Sequence, residues 1–168
     1  FGEVIALRII EEDGNFSEEK LKEMRKELES EAKKFHELFY IQRALLQKQD
    51  MEKWFALHSS YSGMTEAIKK LSKNYDIFIA TAKDRNATIK LLKKFDLKID
   101  ENHIITKEFS KHKYDQIRFI LNEYKIQPGN LLFIEDILEN LFGVKELGIK
   151  IALVEWGYST EKQREDAE

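Results

Sequence analysis

LLFIEDILEN, residues 131–140, is the stretch on which the fold reading turns. Leu131 to Ile134 are apolar, and two carboxylates, Glu135 and Asp136, follow at once. A short apolar run that stops in polar residues reads as a strand buried on both faces of a parallel sheet. The same pattern stands upstream, where YDIFIA (Tyr75–Ala80) runs into Thr81-Ala82-Lys83-Asp84-Arg85. Short strands are predicted at His103–Thr106 and Lys150–Val154 as well. Helical periodicity fills the intervals at Met64–Lys73, Asn86–Phe95, Tyr114–Tyr124 and Leu138–Leu147. Strands alternating with helices mean βαβ units, and hence an α/β chain with a parallel, Rossmann-like sheet.

The first third has a different rhythm. Leu21, Met24, Leu28, Ala32, Phe35 and Phe39 recur at three or four positions, one apolar stripe on a helix. Asn15 is placed to cap it, with Glu18 three residues on. A second helical pattern runs from about Ile41 to Leu57. Ser59-Ser60-Tyr61-Ser62-Gly63 then breaks the periodicity and reads as a linker. Two domains follow from this: a helical one over residues 1–60 and the α/β core over 61–168.

Composition narrows the function classes. The 168 residues are 42% hydrophobic and 35% charged, with a net charge of −3. That is enough apolar matter for a core, and it lacks the basic excess of a nucleic-acid platform. The balance gives no reason to sit on an anionic membrane, and no run is apolar enough to span one. With no cysteine, disulfides and thiolate chemistry are excluded, and the cytoplasm is the expected compartment.

In open parallel sheets, ligands bind at the carboxyl ends of the strands. There stand Thr81 to Arg85, then Ser110-Lys111-His112-Lys113, then Glu135-Asp136. Each residue has a bland reading: Thr81, Asp84 or Asp136 as a helix cap, Lys113 or His112 as a solvated side chain. Together they suit a phosphate site. A hydroxyl and backbone N–H groups donate to phosphoryl oxygens, a lysine supplies fixed positive charge, and carboxylates hold a hard cation such as Mg²⁺.

From Tyr61 to Tyr158 the chain resembles the haloacid-dehalogenase-like hydrolases, most of which are Mg²⁺-dependent phosphatases. SGMTEAIKKLSKNYDIFIATAKD is similar to the approach to that family's second motif, KYDQIRFILNEYKIQPGNLLFIED to its third and fourth, and IKIALVEWGY to its last core strand and loop. The resemblance implies that Thr81 hydrogen-bonds the phosphoryl group, with Ala82 and Lys83 beside it. It implies that Lys113 steadies nucleophile and phosphate, and that Asp136, with Glu135 before it, holds Mg²⁺. Asn140 stands where many members carry a further acid. Lys83 and Arg85 are candidates for touching the leaving group. The helical first third corresponds to the cap that one subfamily inserts over its site. A small phosphorylated metabolite is the expected partner.

The family's first motif, a strand ending in Asp-x-Asp, has no good copy here. VIALRIIEEDGN echoes it faintly, but Arg8 would stand in a strand buried on both faces, at a heavy cost. Val4 to Ile10 reads better as a cap helix, with Asp13-Gly14-Asn15 its turn. The expectation is therefore that the central first strand lies upstream of Phe1, supplied by a separate N-terminal fragment, another chain or a further segment. A phosphomutase, a metal-independent dehalogenase and a non-catalytic binding protein on the same scaffold are the alternatives.

Overall fold

The computed structural model describes residues 18–157 and 159–165. The expected helix at Val4–Ile10, the turn at Asp13–Asn15 and the Asn15 cap lie outside the described residues, as does Tyr158. The chain divides into two compact units, Phe1–Ser59 and Ser60–Glu168.

In the first unit, α1 (Glu18–Glu27) and α2 (Glu29–Gln49) are separated at Leu28, and α3 (Met51–Ala56) follows. The second expected helix was placed from about Ile41, but the chain stays helical through that point and breaks at Asp50 instead. Asp50 is extended (φ −151°, ψ 82°), and its carboxylate accepts from Lys53 N at 2.9 Å. An Asp N-cap of this kind restarts a helix inside an otherwise unbroken periodic pattern. Trp54 is buried, its ring packed at a tilt against Phe55 and His58, while Phe35 and Phe39 of the apolar stripe are exposed.

In the second unit the elements follow the predicted alternation. They are α4 (Met64–Leu71), β1 (Ile79–Ala80), α5 (Arg85–Lys94), β2 (Ile104–Ile105), α6 (Lys113–Glu123), β3 (Leu132–Glu135), α7 (Leu138–Lys145), β4 (Lys150–Leu153) and α8 (Glu161–Glu165). Gly63, at φ 73°, opens α4. Asp84 caps α5 through Ala87 N at 2.8 Å, so its bland reading holds. Asp96 (φ 51°) and Lys125 (φ 52°) end α5 and α6 in the left-handed region. The following amides, Leu97 N and Ile126 N, reach back to Leu92 O and Leu121 O. This is the six-to-one closure that satisfies the last carbonyls of a helix.

β1 pairs in parallel with β2 (Ile79 with Ile104, Ala80 with Ile105), and β3 in parallel with β4 (Leu132 with Lys150 through Glu135 with Leu153). Among the described residues the two pairs form separate sheets, each of β1 and β3 having one neighbour. The core gathers Ile117, Ile120 and Leu121 of α6, Leu138, Leu141 and Val144 of α7, Ile105, Leu131 and Phe133. Fully burying one such side chain contributes about 1.5–3 kcal/mol.

The sequence reading had the strands of YDIFIA and LLFI buried on both faces, and this is corrected. Phe133 is buried, but its neighbours Leu132 and Ile134 are 55% and 54% exposed. Successive strand side chains point to opposite faces, and α6 and α7 cover only the face that Phe133 joins. YDIFIA is only half-buried at residues 77–80, and Tyr75 is exposed. No helix among the described residues is long and apolar enough to cross a membrane.

Candidate active site

Two strand ends meet around one ammonium. Lys113, first residue of α6, donates from Nζ to Ala80 O, the last carbonyl of β1, at 2.5 Å. The same Nζ stands 3.7 Å from Glu135 Oε2, at the end of β3. The two side chains are 12% and 9% exposed. A solvated lysine, the bland reading of Lys113, is thereby excluded. His112 is exposed, as expected.

Thr81 follows Ala80 directly. Its N–H donates to Ile105 O at 2.9 Å, which prolongs the β1–β2 ladder by one bond. Its Oγ1 accepts from Lys83 N at 3.1 Å. A hydroxyl that accepts a backbone N–H on the protein side keeps its own proton to donate elsewhere. Thr81 therefore caps nothing: Asp84 caps α5, and Thr81 is left to present its O–H. Ala82 is exposed, and the Lys83 backbone serves the loop twice, its N–H on Thr81 and its carbonyl accepting from Lys107 N at 3.4 Å.

Arg85 does not approach this centre. Its guanidinium donates to Ile104 O at 2.9 Å and Glu101 O at 2.7 Å, so it ties α5 to the turn before β2. Its candidacy for the leaving group is withdrawn, since the planar donor fork is taken by carbonyls.

Glu135 and Asp136 divide their work in a way that the sequence did not show. Glu135 Oε1 accepts from Asp136 N at 3.2 Å and Ile137 N at 3.3 Å, so it turns the chain out of β3. Its other oxygen faces Lys113. Asp136 caps nothing, since Ile137 is the N-cap of α7 and makes no side-chain cap bond. Asp136 lies instead against Gly157, where a Cβ would stand 2.1 Å from Asp136 Cβ. Burial pushes the Glu135 carboxyl up, the adjoining Asp136 adds to this, and Lys113 opposes it, with Asn140 also favouring the ionised form. Burial likewise lowers Lys113, against the pull of Glu135 and Asp136. Desolvation thus exceeds the pair's own attraction, the usual balance for a buried ion pair.

Among the described residues, no group of three or more His, Asp or Glu is placed to hold a metal ion. Two adjoining carboxylates, Glu135 and Asp136, nevertheless suit Mg²⁺ by their chemistry. That ion takes one or two protein carboxylates and completes its shell with water and substrate phosphate. Gly157 and Gln116 were missed by the sequence reading.

A family model of haloacid dehalogenase-like hydrolases matches residues 9–154. The chain belongs to this family. The matched stretch takes in α1 to α3 as well as the strand ends described above. No curated protein and no solved structure matches the chain. The haloacid dehalogenase-like fold accounts for the order of elements seen here, short parallel strands joined by helices, with the carboxyl ends of β1 and β3 meeting at Lys113.

Proposed function

We propose that this hydrolase is an Mg²⁺-dependent phosphatase acting on a small phosphorylated metabolite in the cytoplasm. The observation that carries the reading is the position of the Lys113 ammonium, in contact with both Ala80 O and Glu135 Oε2. A buried cation held between the end of β1, next to Thr81, and Glu135 suits a phosphoryl group on one side and a divalent ion on the other.

In this reading the nucleophile is an aspartate carboxylate of the family's first motif. One of its oxygens attacks phosphorus, the bond to the leaving oxygen breaks, and water then cleaves the aspartyl-phosphate. Thr81 donates its O–H to a phosphoryl oxygen, and Ala82 and Lys83 shape the loop around it. Lys113 offsets charge on the transferring oxygens. Asp136 and Glu135 would hold Mg²⁺, which supplies charge neutralisation when bound. Among the described residues β1 and β3 each pair on one side only, which is compatible with a further strand between them. The helical unit, residues 1–60 in the sequence reading, would serve as the cap that excludes water and selects the leaving group.

A panel of phosphomonoesters, assayed on the full-length protein with Mg²⁺ and with a chelator, tests the reading. Mg²⁺-dependent release of phosphate, lost in Lys113→Met, is the expected result. Release that ignores Mg²⁺ would favour the dehalogenase chemistry. No turnover, with phosphate still bound, would favour the non-catalytic protein.

A further inference from the structure

Gln116 is fully buried, at 0% exposure, in a helix face otherwise made of Ile117 and Ile120. Its Nε2 donates twice, to Thr81 O at 2.9 Å and to Ser110 O at 2.7 Å. Both neighbours are carbonyls, so the amide must present its NH₂ end to them. Among the described residues its Oε1 then finds no partner. An unpaired buried amide oxygen costs about 1–3 kcal/mol, which offsets much of what the two donated bonds contribute. A side chain chosen for stability alone would leave no orphaned oxygen here.

What the two donors join is specific. Thr81 O belongs to the peptide that follows β1, and Ser110 O to the loop that opens α6. That loop is itself held: Ser110 Oγ donates to Asp115 Oδ2 at 2.9 Å and accepts from His112 N at 3.1 Å. Gln116 stands three residues after Lys113, on the same helix face. One side of the first α6 turn therefore grips two successive carbonyls of the β1 end, Ala80 O by Lys113 and Thr81 O by Gln116.

We propose that Gln116 is a positioning residue, whose carboxamide fixes the Thr81 peptide to the start of α6 and so sets the spacing between the Thr81 hydroxyl and the Lys113 ammonium. It touches no reacting atom. It acts through Thr81, and the proposal rests on the phosphatase reading for its effect on turnover. A displacement of about 1 Å in such a site costs up to about a hundredfold in rate.

The test uses the full-length protein and Gln116→Met, which keeps length and loses the donors. The expected result is a folded variant whose melting temperature is little changed or modestly lower, since Thr81 O and Ser110 O lose a donor while the orphaned Oε1 is removed, with kcat down about tenfold to a hundredfold and KM little changed. The Lys83 amide, bound to Thr81 Oγ1, should exchange with solvent faster in the variant. Unchanged kcat in a folded variant overturns the proposal. If the wild type hydrolyses no phosphomonoester, the phosphatase reading fails by itself, and amide exchange decides: faster at Lys83 in the variant supports the positioning role, unchanged overturns it. If the variant does not fold, the wild-type carboxamide decides. Both Gln116 side-chain protons should exchange slowly, and signals from the Thr81 amide and the Gln116 carboxamide should shift together on titration with inorganic phosphate. Rapid exchange at the carboxamide, or a shift at Thr81 alone, overturns it.

Discussion

Gly157 stands against Asp136 so closely that a Cβ on it would lie 2.1 Å from Asp136 Cβ, 2.8 Å from Oδ2 and 2.9 Å from Cγ. The glycine is there for space: the loop after β4 passes directly over the carboxylate that follows β3. Contact at a Cβ, which is fixed to the backbone, cannot be relieved by a rotamer change. Gly157→Ala should therefore move the Asp136 backbone or push the β4 loop away. The expected cost is about 1–3 kcal/mol, as for other overpacked sites, with hydrolytic turnover reduced at least as much as in Asp136→Asn. Urea denaturation and a rate assay on the same samples check this. A variant with wild-type turnover would show that the loop yields without disturbing Asp136.

Lys113 and Glu135 give a second test. Removing the ammonium alone leaves a mostly buried carboxylate facing Asp136 with no cation, and Lys113→Met should cost about 2–4 kcal/mol. Glu135→Gln costs less, because Lys113 keeps its bond to Ala80 O. The double variant should be more stable than the sum of the singles implies, by about 0.5–3 kcal/mol, the range found for residues in direct contact. Additive single effects would mean that the 3.7 Å approach carries no interaction.

Acid stability is set in part far from the site. Lys69 Nζ lies 2.6 Å from Asp96 Oδ2, and this hydrogen bond, then the lysine charge, holds the Asp96 carboxyl below its ordinary value of 3.8. A carboxyl lowered by folding contributes stability that is fully present above its unfolded value and is lost as pH falls through its folded one. Asp96→Asn removes the charge and keeps a residue that tolerates the left-handed backbone at φ 51°. The wild-type advantage over this variant should be constant above about pH 4 and vanish on further acidification. Urea midpoints from pH 2 to 7 give the curve, and a difference that grows toward low pH would reverse the sign argued here.

The alternation of strands and helices after Gly63 was legible because each buried run ends in polar residues and each helix has its own start. The places of Thr81, Lys113 and Asp136 were legible for the same reason, each standing next to a strand or helix boundary. What escaped was set by tertiary contact. Gln116 carries no charge and sits in an apolar helix face, so only its partners, 35 and 6 residues away, reveal it. Gly157 reads as a loop glycine until Asp136 is beside it. Arg85 was a leaving-group candidate for its place just after Thr81, but Ile104 O and Glu101 O take its guanidinium, and no pattern in the sequence announces a carbonyl. The helix break at Asp50 was hidden for a local reason, since the apolar spacing continues across it. Leu132 and Ile134 misled through a rule that is sound only when helices cover both faces of a sheet.

The proposed Mg²⁺ role of Asp136 can be tested apart from stability. If Mg²⁺ binds the folded protein alone, at tenfold excess over its dissociation constant it should stabilise by about 1.4 kcal/mol, roughly 3–6 °C in melting temperature for a chain of this size. Asp136→Asn should abolish that shift. Without metal the same variant should be no less stable than the wild type, since Asp136 is one of the groups that push the buried Glu135 carboxyl up. Removing the neighbouring charge relieves Glu135, while Lys113 remains in place to pair with it. Melting curves with Mg²⁺ and with a chelator read both effects on one sample. A metal shift that survives in Asp136→Asn would move the cation to other ligands, and a large loss of stability without metal would give Asp136 a structural role instead.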